Sequence, residues 1–174
     1  MFEDQVIPLD SWVSDAVKWL VKNHRDIFQA LKWPVEQTLS GFNDALNYVH
    51  PIIIIVVMAL AAWKYSGIKL AIFAIASMVL IGLLGLWEDA MTTLAMVLSS
   101  VFFCILAGIP LGILSGRSDR FESWIRPVLD AMQTTPAFVY LVPIVMLFSV
   151  GNTAGVLATI IFALPPLIRL TSLG

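Results

Sequence analysis

Long stretches without a charged side chain organise this sequence. None falls between Asp44 and Lys64, leaving 19 positions (45–63) around PIIIIVVMALAAW, or between Lys69 and Glu88, leaving 18 (70–87). A third stretch of 27 (90–116) separates Asp89 from Arg117, and a fourth of 38 (131–168) separates Asp130 from Arg169. A helix that crosses a bilayer needs about 20 mostly apolar residues. The first three stretches therefore predict one span each. The fourth is too long for one and suits two, broken at the turn-forming pair Gly151-Asn152. The prediction is an all-α, polytopic helical membrane protein with about five transmembrane helices.

The first 50 residues follow a different period. Val13, Val17, Leu20, Ile27, Phe28 and Leu31 make one apolar helical stripe, capped by Asp10 or Ser11 and ended near Pro34. A second helix starts at Pro34, with Val35, Leu39, Phe42, Leu46 and Val49 spaced by threes and fours. These are expected to be interfacial amphipathic helices on the outer face of the bilayer. Their polar faces are not basic, which favours packing over lipid recognition. The expected organisation is an extracytoplasmic tail (1–50), two N-terminal transmembrane helices (51–87) and a transmembrane domain from residue 88 to 174.

Composition agrees with burial in lipid. Of 174 residues, 59% are hydrophobic and 13% charged, against about one-quarter charged in an ordinary soluble domain. A net charge of −2 excludes a broad basic surface for nucleic acid. The single cysteine, Cys104, lies within an apolar run and reads as a packing residue. The acidic start MFEDQVIPLD is not that of a secretory signal peptide.

Lysines and arginines set the orientation. Lys64 and Lys69 lie in the link between spans one and two; Arg117, Arg120 and Arg126 lie between three and four. The other two links, around Glu88-Asp89 and Gly151-Asn152, carry none. This alternation places the cationic links and the end of the chain in the cytoplasm and the N-terminus outside. The tail fits, with four basic groups (Lys18, Lys22, Arg25, Lys32) against seven acidic ones in residues 1–50.

Catalytic patterns are missing. The run from Gly112 to Ser118 is a residue short of a phosphate loop and lacks its lysine. Gly108, Gly112 and Gly116 instead give the small-xxx-small spacing that lets membrane helices approach closely, and Pro110 predicts a kink. No His/Cys cluster has metal-ligand spacing, and His24 and His50 are isolated. The chain is read as no enzyme, with no cofactor and no metal.

Polar groups inside the apolar stretches carry more information. Asp130, Gln133, Thr134 and Thr135 precede Pro136 at the start of the fourth span. Such groups are costly in lipid, so they either line a translocation path or satisfy themselves locally. In the local reading the threonines bond back to their own helix, and Asp130 sits at the interface beside Arg126. Phe138 and Tyr140 offer ring faces to a cation, or simply pack. Pro143, Pro165 and Pro166 are expected to break or bend their helices.

The run LDAMQTTPAFVYLVPIVMLFSVGNTAGVLATIIFALPPLIRLTSLG, and within it MQTTPAFVYLVP, resembles the permease subunit of the glycine betaine/proline ABC importers. The stretch WEDAMTTLAMVLSSVFFCILAGIPLGILSGRSDRFESWIRPVLD is similar to the start of the same type I permease domain, so the resemblance runs from about Trp87 to the end. It implies a multi-pass inner-membrane subunit that imports compatible solutes. Its partners would be a periplasmic substrate-binding protein, a second copy of the permease and cytoplasmic subunits that bind the ATP. Gln133, Thr134, Thr135, Pro136 and Tyr140 are the candidate path residues, of which Thr134, Thr135, Pro136 and Tyr140 match the family pattern. Family permeases continue past a pair like Leu173-Gly174 into an ATPase-coupling loop. These 174 residues are therefore expected to be an N-terminal part that does not itself couple ATP hydrolysis to transport. Choline or carnitine permeases, an ion-coupled carrier or pore, and a structural anchor are the competing readings.

Overall fold

A computed structural model describes Trp12, Asp15, Trp19, Asn23 and the continuous run 25–174. Asp10, Ser11, Val13, Val17, Leu20 and His24, which carry most of the first predicted tail helix, lie outside the described residues. The chain forms two compact units. One is Thr38–Leu98; the other is Ser99–Gly174 with the described residues up to Gln37.

Helix α1 (Arg25–Tyr48) passes through Pro34 without a break, so the expected boundary there does not exist. Proline removes the bond to the carbonyl four residues earlier. Ala30 and Pro34 are both exposed, so solvent can take that carbonyl. The predicted stripe is otherwise present: Val35 and Leu39 are buried, and Phe42, Leu46 and Val49 half-buried.

In the unit Thr38–Leu98, helix α2 (Pro51–Ser66) starts where Pro51 supplies a preset first turn and His50 Nδ1 accepts from the Ile52 N–H at 3.4 Å. His50 is thus a cap rather than a ligand. The axis turns by 101° between Gln29–Tyr48 and Pro51–Ser66. Hence the first predicted span is not one straight helix. The physical cause is Pro51, which disfavours helical geometry in the residue before it.

Gly67, at φ 89°, joins α2 to α3 (Ile68–Leu83), and the two helices pack on each other. Gly85 then ends α3 in the left-handed region at φ 73°, with Leu86 N–H bonded to Ile81 O and Gly85 N–H to Gly82 O, both at 3.1 Å. This double closure is a Schellman cap, and glycine adopts it without steric penalty. Ile52, Ile53, Val57, Leu60, Ile72 and Phe73 are all exposed. Helices apolar on every side belong in lipid.

Helix α4 (Trp87–Arg117) is 31 residues long and carries Glu88 and Asp89 in its first turn, where the helix dipole favours them. It includes Pro110 without interruption. Near its start, Thr92 Oγ1 donates to Asn43 Oδ1 at 3.1 Å, and Asn47 Nδ2 donates to Asn43 O at 2.8 Å. The first of these bonds joins α1 to α4 within the Thr38–Leu98 unit, and the second, internal to α1, holds Asn47 on Asn43.

The remaining elements are α5 (Asp119–Thr134), α6 (Ala137–Phe148) and α7 (Asn152–Leu173). Among the described residues, α4 and α7 are long and apolar enough to cross a membrane, and up to four spans result if each bent pair counts as one. With the shorter apolar α3 counted separately, these answer to the five apolar stretches of the sequence. The 16 residues of α3 extend only about 24 Å, short of a bilayer core of about 30 Å. Residues 131–134 of the fourth predicted span belong to the polar α5, leaving 12 residues in α6. The break at Gly151-Asn152 falls where it was predicted, with Ser149 at φ 72° and α7 beginning at Asn152. Pro143, Pro165 and Pro166 lie inside continuous helices and end none of them. The protein is an all-α, polytopic membrane protein.

Candidate functional site

Everything in this subsection lies in the unit containing Ser99–Gly174. Its framework is the contact between α4 and α7. Ser100 Oγ donates to Val156 O at 3.4 Å, and Cys104 Sγ reaches Ile160 O at 3.9 Å. A methyl group placed on Gly108 would lie 3.4 Å from Leu164; one on Gly112, 2.9 Å from Ile168 O; one on Gly116, 2.9 Å from Ser172 O. Each α4 residue in this series meets the residue 56 positions later, so the two helices run parallel and in register. The small-residue spacing read from three glycines is one stripe of five, with Ser100 and Cys104 continuing it by steps of four. Residues four apart share a helix face, which is why the stripe follows the contact.

Parallel packing obliges the intervening chain to travel back along both helices. In this register Val156 lies level with Ser100, and Ser172 with Gly116, a rise of about 24 Å. Helix α6 and the Ser149–Gly151 link provide that return. Helix α5 instead turns aside: the axis changes by 96° between Asp119–Thr134 and Phe138–Phe148. It lies beside the C-terminal ends of α4 and α7, where its side chains enclose a cavity of about 300 Å³ with Ser115, Ile168 and Ser172.

The candidate path residues gather at the elbow between α5 and α6. Thr134 ends α5, its hydroxyl donating to Asp130 O at 2.9 Å, which is the local bonding that competed with a path-lining role. Thr135 has the extended conformation demanded of a residue before proline (φ −75°, ψ 126°), and Pro136 caps α6. Gln133 and Phe138 are exposed. Tyr140 follows in the first turn of α6 with its hydroxyl buried and without a hydrogen-bond partner among the described residues. The elbow thus holds Gln133, Thr134, Thr135 and Pro136 together and Tyr140 one turn on. None of the five lines the cavity at the helix ends.

Asp130 pairs with Arg169 of α7 rather than with Arg126, one turn before it. Arg126 pairs with Glu122 at 2.6 Å. Both carboxylates stand four residues from Arg126 and are equally within its reach; the guanidinium arriving from α7 takes Asp130 and leaves Glu122. The arrangement is a polar elbow, tied to α7 by the Asp130–Arg169 ion pair, at the end of a closely packed parallel helix pair.

Comparison with known proteins agrees with this description. Residues 108–174 match the family of binding-protein-dependent transport system inner membrane components. Over 173 residues the chain is 53% identical to the glycine betaine/proline betaine transport system permease protein ProW of Escherichia coli (strain K12), covering 99% of this chain and 49% of that protein. It is 50% identical to the ProW protein of Salmonella typhimurium over the same shares. The glycine betaine transport system permease protein OpuAB of Bacillus subtilis (strain 168) is 36% identical over 97% of this chain and 60% of its own length. The chain spans about half the length of the ProW relatives it matches. These matches show that residues 108–174 belong to the family of binding-protein-dependent transport system inner membrane components, the type I ABC permeases, within a chain similar to glycine betaine permeases over nearly its whole length.

Proposed function

We propose that this protein is the membrane-spanning permease subunit of a binding-protein-dependent ABC importer for glycine betaine and proline betaine. The observation that carries this reading is the 53% identity extending over 99% of the chain. A periplasmic binding protein delivers the solute, cytoplasmic partner subunits bind and hydrolyse the ATP, and two permease copies form the passage. The permease itself catalyses no reaction. Gln133, Thr134, Thr135, Pro136 and Tyr140 border the passage at the elbow, where a change of backbone angle re-aims α6 and the unpaired Tyr140 hydroxyl. The test is disruption of the gene. Uptake of radiolabelled glycine betaine at high osmolarity is expected to fall to background and to return with a plasmid copy. Undiminished uptake overturns the proposal. Competition by unlabelled carnitine or choline separates the second reading, favoured by the 38% identity to the glycine betaine/carnitine permease GbuB of Listeria monocytogenes.

The same proposal puts the N-terminus outside and the α4–α5 link in the cytoplasm, because the lysine- and arginine-bearing links alternate with links that carry none. Parallel α4 and α7 require only that both cross in the same direction. In a Cys104→Ser background, a membrane-impermeant thiol reagent added to intact spheroplasts is expected to label Asn152→Cys and to miss Ser118→Cys. The reverse pattern overturns the orientation.

A further inference from the structure

Helix α5 has two unlike faces. Glu122, Ile125, Arg126, Leu129 and Asp130 point to the cavity beside α7. At 100° per residue, the opposite face carries Arg120, Trp124, Pro127, Val128 and Ala131, all exposed. Trp124 is 77% exposed and Val128 50%. The charges divide in the same way. The cavity face is neutralised by the Glu122–Arg126 and Asp130–Arg169 pairs. Arg117, at the end of α4, and Arg120 are exposed and form no ion pair or hydrogen bond among the described residues.

Depth decides what meets this face. Because α5 lies beside Ser115, Ile168 and Ser172, its axis is level with the last turns of two membrane-crossing helices. That level is the boundary between acyl chains and headgroups, where tryptophan is enriched and arginine reaches phosphate. An amphipathic helix there buries its apolar face shallowly in the bilayer. We infer that α5 is an interfacial helix whose outer face binds anionic phospholipid, with Arg117 and Arg120 on the headgroup phosphate and Trp124 and Val128 among the upper acyl carbons. The charge is complementary: two unpaired cations face the anionic inner leaflet. This rests on the proposed orientation, which the Asn152 and Ser118 labelling tests separately.

The test uses the purified full-length permease complex in nanodiscs of phosphatidylcholine with or without phosphatidylglycerol. An environment-sensitive fluorophore on Trp124→Cys, in the Cys104→Ser background, is expected to be quenched by lipid spin-labelled high on the acyl chain and to be shielded from aqueous iodide. Quenching by iodide alone means the face is wet, and quenching by neither means that protein covers it; both overturn the inference. Preference for spin-labelled phosphatidylglycerol over phosphatidylcholine at this site is expected to fall by about 25-fold in Arg117→Gln/Arg120→Gln, each arginine near an anionic surface contributing roughly fivefold. It is retained in Arg117→Lys/Arg120→Lys. An unchanged preference in the glutamine variant overturns the assignment of those arginines.

Discussion

Replacing Gly112 with alanine is expected to lower the stability of the permease by about 2 kcal/mol or more, although only one methyl group is added. That methyl would lie 2.5 Å from Thr171 Cβ and 2.9 Å from Ile168 O. One neighbour is a branched carbon held near the backbone and the other is backbone itself, so neither turns away as a side-chain tip would. In lipid, helices associate through close van der Waals contact rather than hydrophobic exclusion. Separating α4 from α7 by even part of an ångström weakens contacts along the whole stripe.

Three further glycines make the prediction graded. Gly116→Ala meets Ser172 O at 2.9 Å and should behave like Gly112→Ala. Gly108→Ala meets the flexible end of Leu167 at 2.8 Å and should cost less. Gly41→Ala enters open space in helix α1 and should be neutral or stabilising by up to about 1 kcal/mol, since alanine is the better helix former. Thermal unfolding of the four purified variants in detergent checks the order. At roughly 2–4 °C per kcal/mol, Gly112→Ala should melt at least several degrees below the parent. Equal melting for Gly112→Ala and Gly41→Ala would show that α4 and α7 do not pack as described.

How far the sequence could be read depended on whether a feature was local. The Gly151-Asn152 break, the stripe from Val35 to Val49 and the close-packing glycines are set by neighbours in the chain, and each is where it was expected. The bends within the apolar stretches were less legible, for a reason equally local. Charge gaps measure how long a stretch stays apolar, whereas Pro51 and Pro136 decide where its helix bends. Pro34, Pro110, Pro143 and Pro165 show the converse, because a proline stops a helix only where the carbonyl it orphans goes unsatisfied. Ser100 and Cys104 were legible, since they extend the Gly108 register by steps of four, but a serine and a cysteine do not announce themselves as small-residue contacts. The partner of Asp130 was not legible. Arg126 and Arg169 are both arginines, and only the return of α7 past α5 chooses between them.

That choice makes the second prediction, which separates contact from coincidence. Asp130→Arg would set a guanidinium against Arg169, and Arg169→Asp would set a carboxylate against Asp130. At an effective dielectric constant of about 20, like charges 4 Å apart repel by about 4 kcal/mol. The two side chains are 53% and 42% exposed, so solvent and small movements should reduce this to roughly 1–2 kcal/mol. Each single reversal is therefore expected to lower betaine uptake about tenfold, provided the α5–α7 tie positions the elbow at Pro136. The double reversal restores an attractive pair and should recover uptake to within about threefold of the parent, a coupling that independent sites would not show. Glu122→Arg, which disturbs the neighbouring pair on α5 alone, should have a smaller effect and should not be rescued by Arg169→Asp. If the double reversal transports no better than either single one, Asp130 and Arg169 are not partners in the working protein, and α5 is held to α7 by the burial of Leu129 and Ile168 instead.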